Sequence, residues 1–231
     1  MYNNNKILGI IPARGGSKGV PRKNLRELAG KPLLAWTIEA AKSSCLIDRV
    51  ILSSEDDEII KTARQYGLDV PFKRPESLAL DETPGVEPVL HAMKELESDG
   101  YSHIVLLQPT SPLRKAEDID EAIRLCLETK APSCVSVCRS AHPPWWMFRI
   151  DVNNRLMPIM DAEALPLRRQ DAPVAYQLNG SVYVAECDFL KQSKGFISPD
   201  TVAYVMPPER SLDIDTEIDL AIAEMILKSQ Q

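Results

Sequence analysis

Histidine is scarce in this chain, and the three present, His91, His103 and His142, are scattered in a way that suggests no hydrolytic triad. The five cysteines, Cys45, Cys126, Cys134, Cys138 and Cys187, are odd in number and show neither a zinc spacing nor a redox pair. They are read as buried free thiols in a reducing cytosol. Long hydrophobic runs are missing too: the chain opens on polar residues, and its first apolar run, Ile7 to Ile11, is far too short to span a bilayer. The expectation is a cytoplasmic protein with no membrane partner. Basic residues are in deficit, 27 against 33 acidic ones for a net charge of −6, which argues against a general affinity for nucleic acid or an anionic surface.

What is present is the composition of one ordinary globular domain, 44% hydrophobic over 231 residues, long enough to bury a sizeable core. Short apolar runs alternate with amphipathic segments, the pattern of a mainly parallel sheet covered by helices. The runs predict strands at 7–11, 50–53, 70–72, 103–107 and 133–137. Helices are predicted between them at 32–42, 55–66, 86–97 and 116–129. Ser54 with Asp57 reads as a capping box and Gly67 as the matching stop. From Ser140 to Pro173 the rhythm breaks into prolines and adjacent tryptophans, so residues 140–173 are expected to leave the domain formed by 1–139 and 174–231. Strands near 181–185 and 202–205 and a helix over 216–228 complete the count.

Against the acidic balance one basic run stands out: Arg14, Lys18, Arg22, Lys23 and Arg26, with no acid between them. It overlaps Ala13-Arg14-Gly15-Gly16-Ser17-Lys18-Gly19, directly after the first strand. Glycines let backbone amides approach phosphate oxygens, and Arg and Lys add charge and donors, so the loop suits a triphosphate. It is neither a P-loop nor a Gly-x-Gly-x-x-Gly dinucleotide turn. Near the other end, Asp213 and Asp215 alternate with Ile214 and Thr216, which puts both carboxylates on one face of an extended chain. Two readings stay open from the pattern: oxygen ligands for a divalent metal, or acids decorating a helix start. Gln108-Pro109-Thr110-Ser111-Pro112 follows an apolar strand, at the end where open parallel sheets meet ligand; Thr110 or Ser111 could equally cap the next helix.

These segments, taken in order, resemble the acylneuraminate cytidylyltransferases. The similarity runs through the opening loop with Lys23-Asn24, Arg74-Pro75 with Leu78-Ala79-Leu80-Asp81, Gln108 to Arg114, Asn179-Gly180 before Tyr183, and Asp213 to Thr216. The resemblance implies a Rossmann-like nucleotide-sugar transferase fold, CTP and an acidic nine-carbon sugar as substrates, Mg²⁺ (or Mn²⁺) on Asp213 and Asp215, and a homodimer built by the 140–173 excursion. By the same resemblance Arg14 and Lys23 serve catalysis, and Ala13, Arg14, Gly15, Gly16, Ser17, Lys18, Asn24, Arg74 and Thr83 hold the nucleotide. Gln108, Thr110, Ser111, Gln177, Asn179 and Tyr183 meet the sugar, and Arg168 and Arg169 offer a charge toward a partner's site. Departures from the sialic-acid pattern at His142-Pro143-Pro144-Trp145, Gln177-Leu178 and Thr83-Pro84-Gly85 open a second choice of sugar, a legionaminic-type acid. A nucleotide-binding glycosyltransferase is the other alternative.

Overall fold

The computed structural model describes residue 2, residues 4–160, residue 168 and residues 171–229. In chain order, β1 (Ile7–Pro12) is followed by two short strands, β2 (Glu27–Leu28) and β3 (Lys31–Pro32), then α1 (Leu33–Ser43), β4 (Arg49–Ser53) and α2 (Asp57–Gln65). Next come α3 (Glu87–Glu95), β5 (His103–Leu106), α4 (Ala116–Thr129) and β6 (Ser133–Arg139). A small hairpin of β7 (Phe148–Ile150) and β8 (Leu156–Pro158) precedes β9 (Tyr176–Glu186), α5 (Cys187–Ser193), β10 (Val202–Met206) and α6 (Glu217–Ser229).

Six strands make one sheet in the order β10-β6-β9-β5-β1-β4. β1 runs parallel to β4 and β5, and β10 parallel to β6, while β9 is antiparallel to both its neighbours. The mainly parallel sheet expected from the sequence therefore forms. Its strands are apolar on both sides because both sides are covered. Side chains alternate across the pleat: Ile7 and Ile11 enter one core with Ile38 of α1, Ile59 of α2 and Ile123 of α4. Leu8 and Ile10 enter the other, with Val89 of α3 and Leu190 of α5. Each such fully buried Leu or Ile contributes about 1.5–3 kcal/mol. A third cluster packs Leu220 and Leu227 of α6 on Leu28, Leu33 and Ile214, and it fixes the segment leading into α6.

Three local expectations change. Residues 70–72 form no strand; one isolated bridge joins Asp69 to Ile51, and Pro71, lacking an N–H, cannot extend it. The cap of α2 is Asp56, whose carboxylate accepts from the N–H groups of Glu58 and Ile59, while Ser54 Oγ only supports Asp56. The late strand begins at Tyr176, earlier than expected. Gly67 does stop α2, at φ +69°. All five thiols are free; Cys126 and Cys134 are buried, which pushes each up to about 12, and Cys45 is exposed, unlike the buried thiols expected. No helix among the described residues is long and apolar enough to cross a membrane.

Candidate active site

The glycine-rich loop springs from the carboxyl end of β1, where Ala13 N–H still donates to Ser53 O at 3.0 Å. Beyond it Gly15 N–H donates to Glu55 Oε1 at 2.7 Å, and the loop is closed by Asn24 Nδ2 donating to Arg14 O at 2.9 Å. Two glycines are there for space: a Cβ on Gly15 would overlap the Asp56 carboxylate, and one on Gly19 the backbone oxygen of Asp215. The basic run then divides. Arg22 turns outward to Asp56 and Glu58, and Arg26 to Glu217. Arg14, Lys18 and Lys23 instead line a cavity of about 450 Å³, together with Ser17 and Asn24.

Arg74, Thr83, Gln108, Thr110 and Asp215 stand on the remaining walls of that cavity. Arg74 is 3% exposed and anchored by an ion pair with Glu55, the carboxylate that also holds Gly15. One donor of its guanidinium, Nε, has no hydrogen-bond partner. Lys23 Nζ bonds to Ile214 O at 2.6 Å and to Asp215 Oδ1 at 3.2 Å, which ties the loop to the segment before α6. Four cationic side chains thus surround one concavity in a chain of negative net charge, an arrangement suited to a polyphosphate.

The two readings of Asp213 and Asp215 separate here. The start of α6 is capped by Thr216 and Asp219: Asp219 Oδ2 accepts Thr216 N–H at 2.7 Å, and Thr216 Oγ1 accepts Asp219 N–H at 3.3 Å. Asp213 and Asp215 are left free of that duty. Ile214 between them is buried in the α6 cluster, and its N–H donates to Thr110 O at 2.8 Å. Asp213 Oδ1 is buried without a hydrogen-bond partner. Burial raises the Asp213 carboxyl above its usual range, a Thr110 hydrogen bond draws it back, and Asp215 adds to the rise. An orphaned buried carboxylate oxygen with a second carboxylate two residues on fits a divalent cation that completes its shell with phosphate and water. No group of three or more His, Cys, Asp or Glu that could hold a metal occurs among the described residues.

Arg114 supports Gln108 from the core. It is fully buried, donates to Gln108 O at 2.6 Å, Thr37 Oγ1 at 3.2 Å and Ser181 O at 2.9 Å, and burial pushes it down to about 9. Through these bonds it joins Gln108 to an irregular stretch of β9. There the register against β6 jumps between Val135 and Val137, bulging out Asn179-Gly180-Ser181. Asn179 is buried and pinned by Ser136 Oγ at 2.6 Å and Ser211 Oγ at 3.0 Å. Gly180, at φ +70°, lets the chain pass 3.0 Å from Gln108 Oε1 and 3.6 Å from Asp213 Oδ2, measured from where its Cβ would be. Gln108 also faces a second cavity of about 370 Å³, lined by Val86, Leu106, Tyr183, Phe196 and Ile197.

The other residues singled out from the sequence stand elsewhere. Ala13 is buried under the loop; Gly15 and Gly16 belong to its backbone and are not among the cavity's lining. Ser111 is buried and donates to Asn179 O at 3.4 Å; α4 is capped instead by Asp118, which accepts Lys115 N–H. Gln177 pairs with Ser140 Oγ, and Arg168 with Asp171 at the surface, outside both cavities. Arg169 lies outside the described residues. Sequence reasoning gave no role to Asp81, Glu55 or Arg114. Asp81 and Arg114 do stand within the motifs that carry the resemblance, whereas Phe196 and Ile197 carry no signal, since the loop after α5 shows no pattern.

Residues 8–226 match the model of a family described as cytidylyltransferase. The chain is 37% identical to the CMP-N,N'-diacetyllegionaminic acid synthase of Legionella pneumophila subsp. pneumophila, over 98% of each chain. It is 33% identical to the pseudaminic acid cytidylyltransferase of Campylobacter jejuni serotype O:23/36, over 96% of this chain and 97% of that one. It is 38% identical to the N-acylneuraminate cytidylyltransferase of Escherichia coli O18:K1:H7, over 94% of this chain and 51% of that one. Among solved structures, a CMP:2-keto-3-deoxy-manno-octonic acid synthetase complexed with CTP has a TM-score of 0.75 at 16% identity, over 98% of this chain and all of that one, a likeness of fold.

Proposed function

The chain belongs to the cytidylyltransferase family, and from that premise we propose that it joins CMP, taken from CTP, to the anomeric hydroxyl of a nonulosonic acid and releases pyrophosphate. The observation that carries the reading is the meeting of two cavities at Gln108: a cationic one of triphosphate character, and a largely apolar one beside it. Arg14, Lys18 and Lys23 grip the β- and γ-phosphates, and Arg74 serves the nucleoside. Gln108 and Tyr183 orient the sugar so that its anomeric oxygen faces the α-phosphorus. As the new O–P bond forms, the anomeric hydroxyl gives up its proton to solvent, the bond to the β-phosphate oxygen breaks, and the loop cations neutralise the charge gathering on pyrophosphate. Asp213 and Asp215 would hold Mg²⁺ or Mn²⁺, which when bound supplies further neutralisation at the phosphates.

The second cavity favours a deoxy sugar. Val86, Leu106, Phe196 and Ile197 give it an apolar wall with Tyr183 and Gln108 as its polar side chains. A legionaminic-type acid, with a methyl and an acetamido group where sialic acid has hydroxyls, suits such a wall better than a polyol tail does. Pyrophosphate release from CTP, Mg²⁺ and a panel of sugar acids tests both statements. Preferred turnover of the legionaminic-type acid is expected; release only with N-acetylneuraminate contradicts the sugar choice, and no release with any acid contradicts the reaction.

Assembly as a homodimer is part of the proposal. The β7–β8 hairpin exposes Ile150, Leu156 and Met157 on two three-residue strands, and Trp146 and Met147 are exposed just before β7, a concentration of apolar surface that a second copy would cover. On this proposal a second copy covers the arm, and Arg168 is offered toward the partner's site. Dependence on CTP also accords with a cytoplasmic location.

A further inference from the structure

Arg14 and Lys18, two of the three loop cations on the cavity, share a single carboxylate. Arg14 Nη2 lies 2.8 Å from Asp81 Oδ1, and Lys18 Nζ lies 2.8 Å from Asp81 Oδ2. The hold is reinforced from the same turn, where Arg14 Nη1 donates to Ala79 O at 3.3 Å and Leu78, Leu80 and Thr83 line the cavity. Lys18 is 80% exposed, and a long exposed side chain keeps one position only against a partner. The two cations, Lys18 first and then Arg14, hold the Asp81 carboxyl below the usual carboxylate range, so it stays charged at neutral pH.

We propose that Asp81 is a specificity-determining residue: an internal carboxylate that occupies Arg14 and Lys18 against carboxylate ligands and yields them to a polyphosphate. Two cations on one carboxylate leave one positive charge uncompensated. A phosphate chain carries more charge and more oxygens than Asp81 and displaces it. A free carboxylate brings no more charge than Asp81 and lacks its tethering to the site, so it loses. The distinction matters because the acceptor of the proposed reaction is itself a carboxylic acid present beside this cavity. The same carboxylate takes the cations back as pyrophosphate leaves, which speeds release.

The inference rests on the reading of the glycine-rich loop as the triphosphate site, and the experiment keeps the two apart. Binding of inorganic tripolyphosphate is measured by calorimetry for the wild type, Asp81→Asn, Asp81→Glu and Lys18→Ala, with folding checked by circular dichroism. Asp81→Asn is expected to bind about three- to tenfold more tightly, the scale of two exposed ion pairs, and Asp81→Glu to stay near wild type. In Asp81→Asn, acetate and the sugar acid become competitive inhibitors against CTP, which they are not in the wild type. Equal or weaker tripolyphosphate binding by a folded Asp81→Asn overturns the role of Asp81. Unchanged binding in Lys18→Ala overturns the loop assignment beneath it.

Discussion

Gly19 rests against the backbone carbonyl of Asp215, so close that a Cβ on Gly19 would overlap the oxygen. Loop and acidic segment are separated by nearly the whole sequence, yet the missing side chain brings the glycine-rich loop within reach of a carboxylate pair. Lys23, bonded to both Ile214 O and Asp215, makes the contact a clamp.

Gly19→Ala must therefore push the loop off Asp215, since the obstacle is backbone and cannot rotate away. We expect kcat/KM for CTP to fall by about a hundredfold, the cost of misplacing reacting groups by about 1 Å. Gly16, whose Cβ would meet nothing, is the control: Gly16→Ala should retain activity far better. Steady-state kinetics of the two variants decide the matter.

The exposed hairpin predicts assembly. Ile150 and Leu156 are paired across β7 and β8, at 68% and 64% exposure. Sedimentation should show a dimer at micromolar concentration, and Ile150→Asp with Leu156→Asp should give a folded monomer of much lower activity. A wild-type monomer contradicts the proposal.

His103 makes stability depend on pH. It begins β5 and is 6% exposed; burial holds its imidazole below the ordinary 6.5, against a smaller opposing pull from Glu186. As pH falls the unfolded chain takes the proton first, so the stability present above that ordinary value is lost as pH falls through the lower folded value. Urea midpoints between roughly pH 7 and 5 should drop for the wild type and drop less for His103→Gln.

Much of this was legible in the sequence. The alternating apolar runs gave every strand of the sheet, because burial on both faces needs side chains of one kind at both parities. The antiparallel course of β9 and its bulge were not legible, since Asn179-Gly180-Ser181 departs from the ladder to satisfy tertiary partners, Ser136, Ser211 and Arg114. Three of the site's four cations stand in one dense run; the resemblance singled out Arg14, Lys18 and Lys23, which line the cavity, whereas residue type alone does not say which face inward. Arg22 and Arg26 look like Arg14 and Lys18 in sequence, and only the acids they meet, Asp56, Glu58, Glu217 and Asp81, tell them apart. Phe196 and Ile197 reach the second cavity from a loop whose residue types announce nothing.

On the proposed reading Asp213 and Asp215 would hold the divalent metal that supplies charge neutralisation at the phosphates. With α6 capped by Thr216 and Asp219, neither carboxylate is needed to start the helix. The Asp213 carboxyl sits above its usual range because it is buried; as pH rises the unfolded chain loses its proton first, and stability falls as pH passes through the folded value. Asn at this position carries no charge to bury, so the unfolding temperature should hold or rise. Turnover against Mg²⁺ concentration, measured with thermal unfolding for Asp213→Asn and Asp215→Asn, is the direct test. The account predicts intact folding with kcat lower by about a hundredfold, about 3 kcal/mol of lost transition-state stabilisation, and a weakened response to Mg²⁺. Near-normal turnover with unchanged metal dependence in both variants would contradict it.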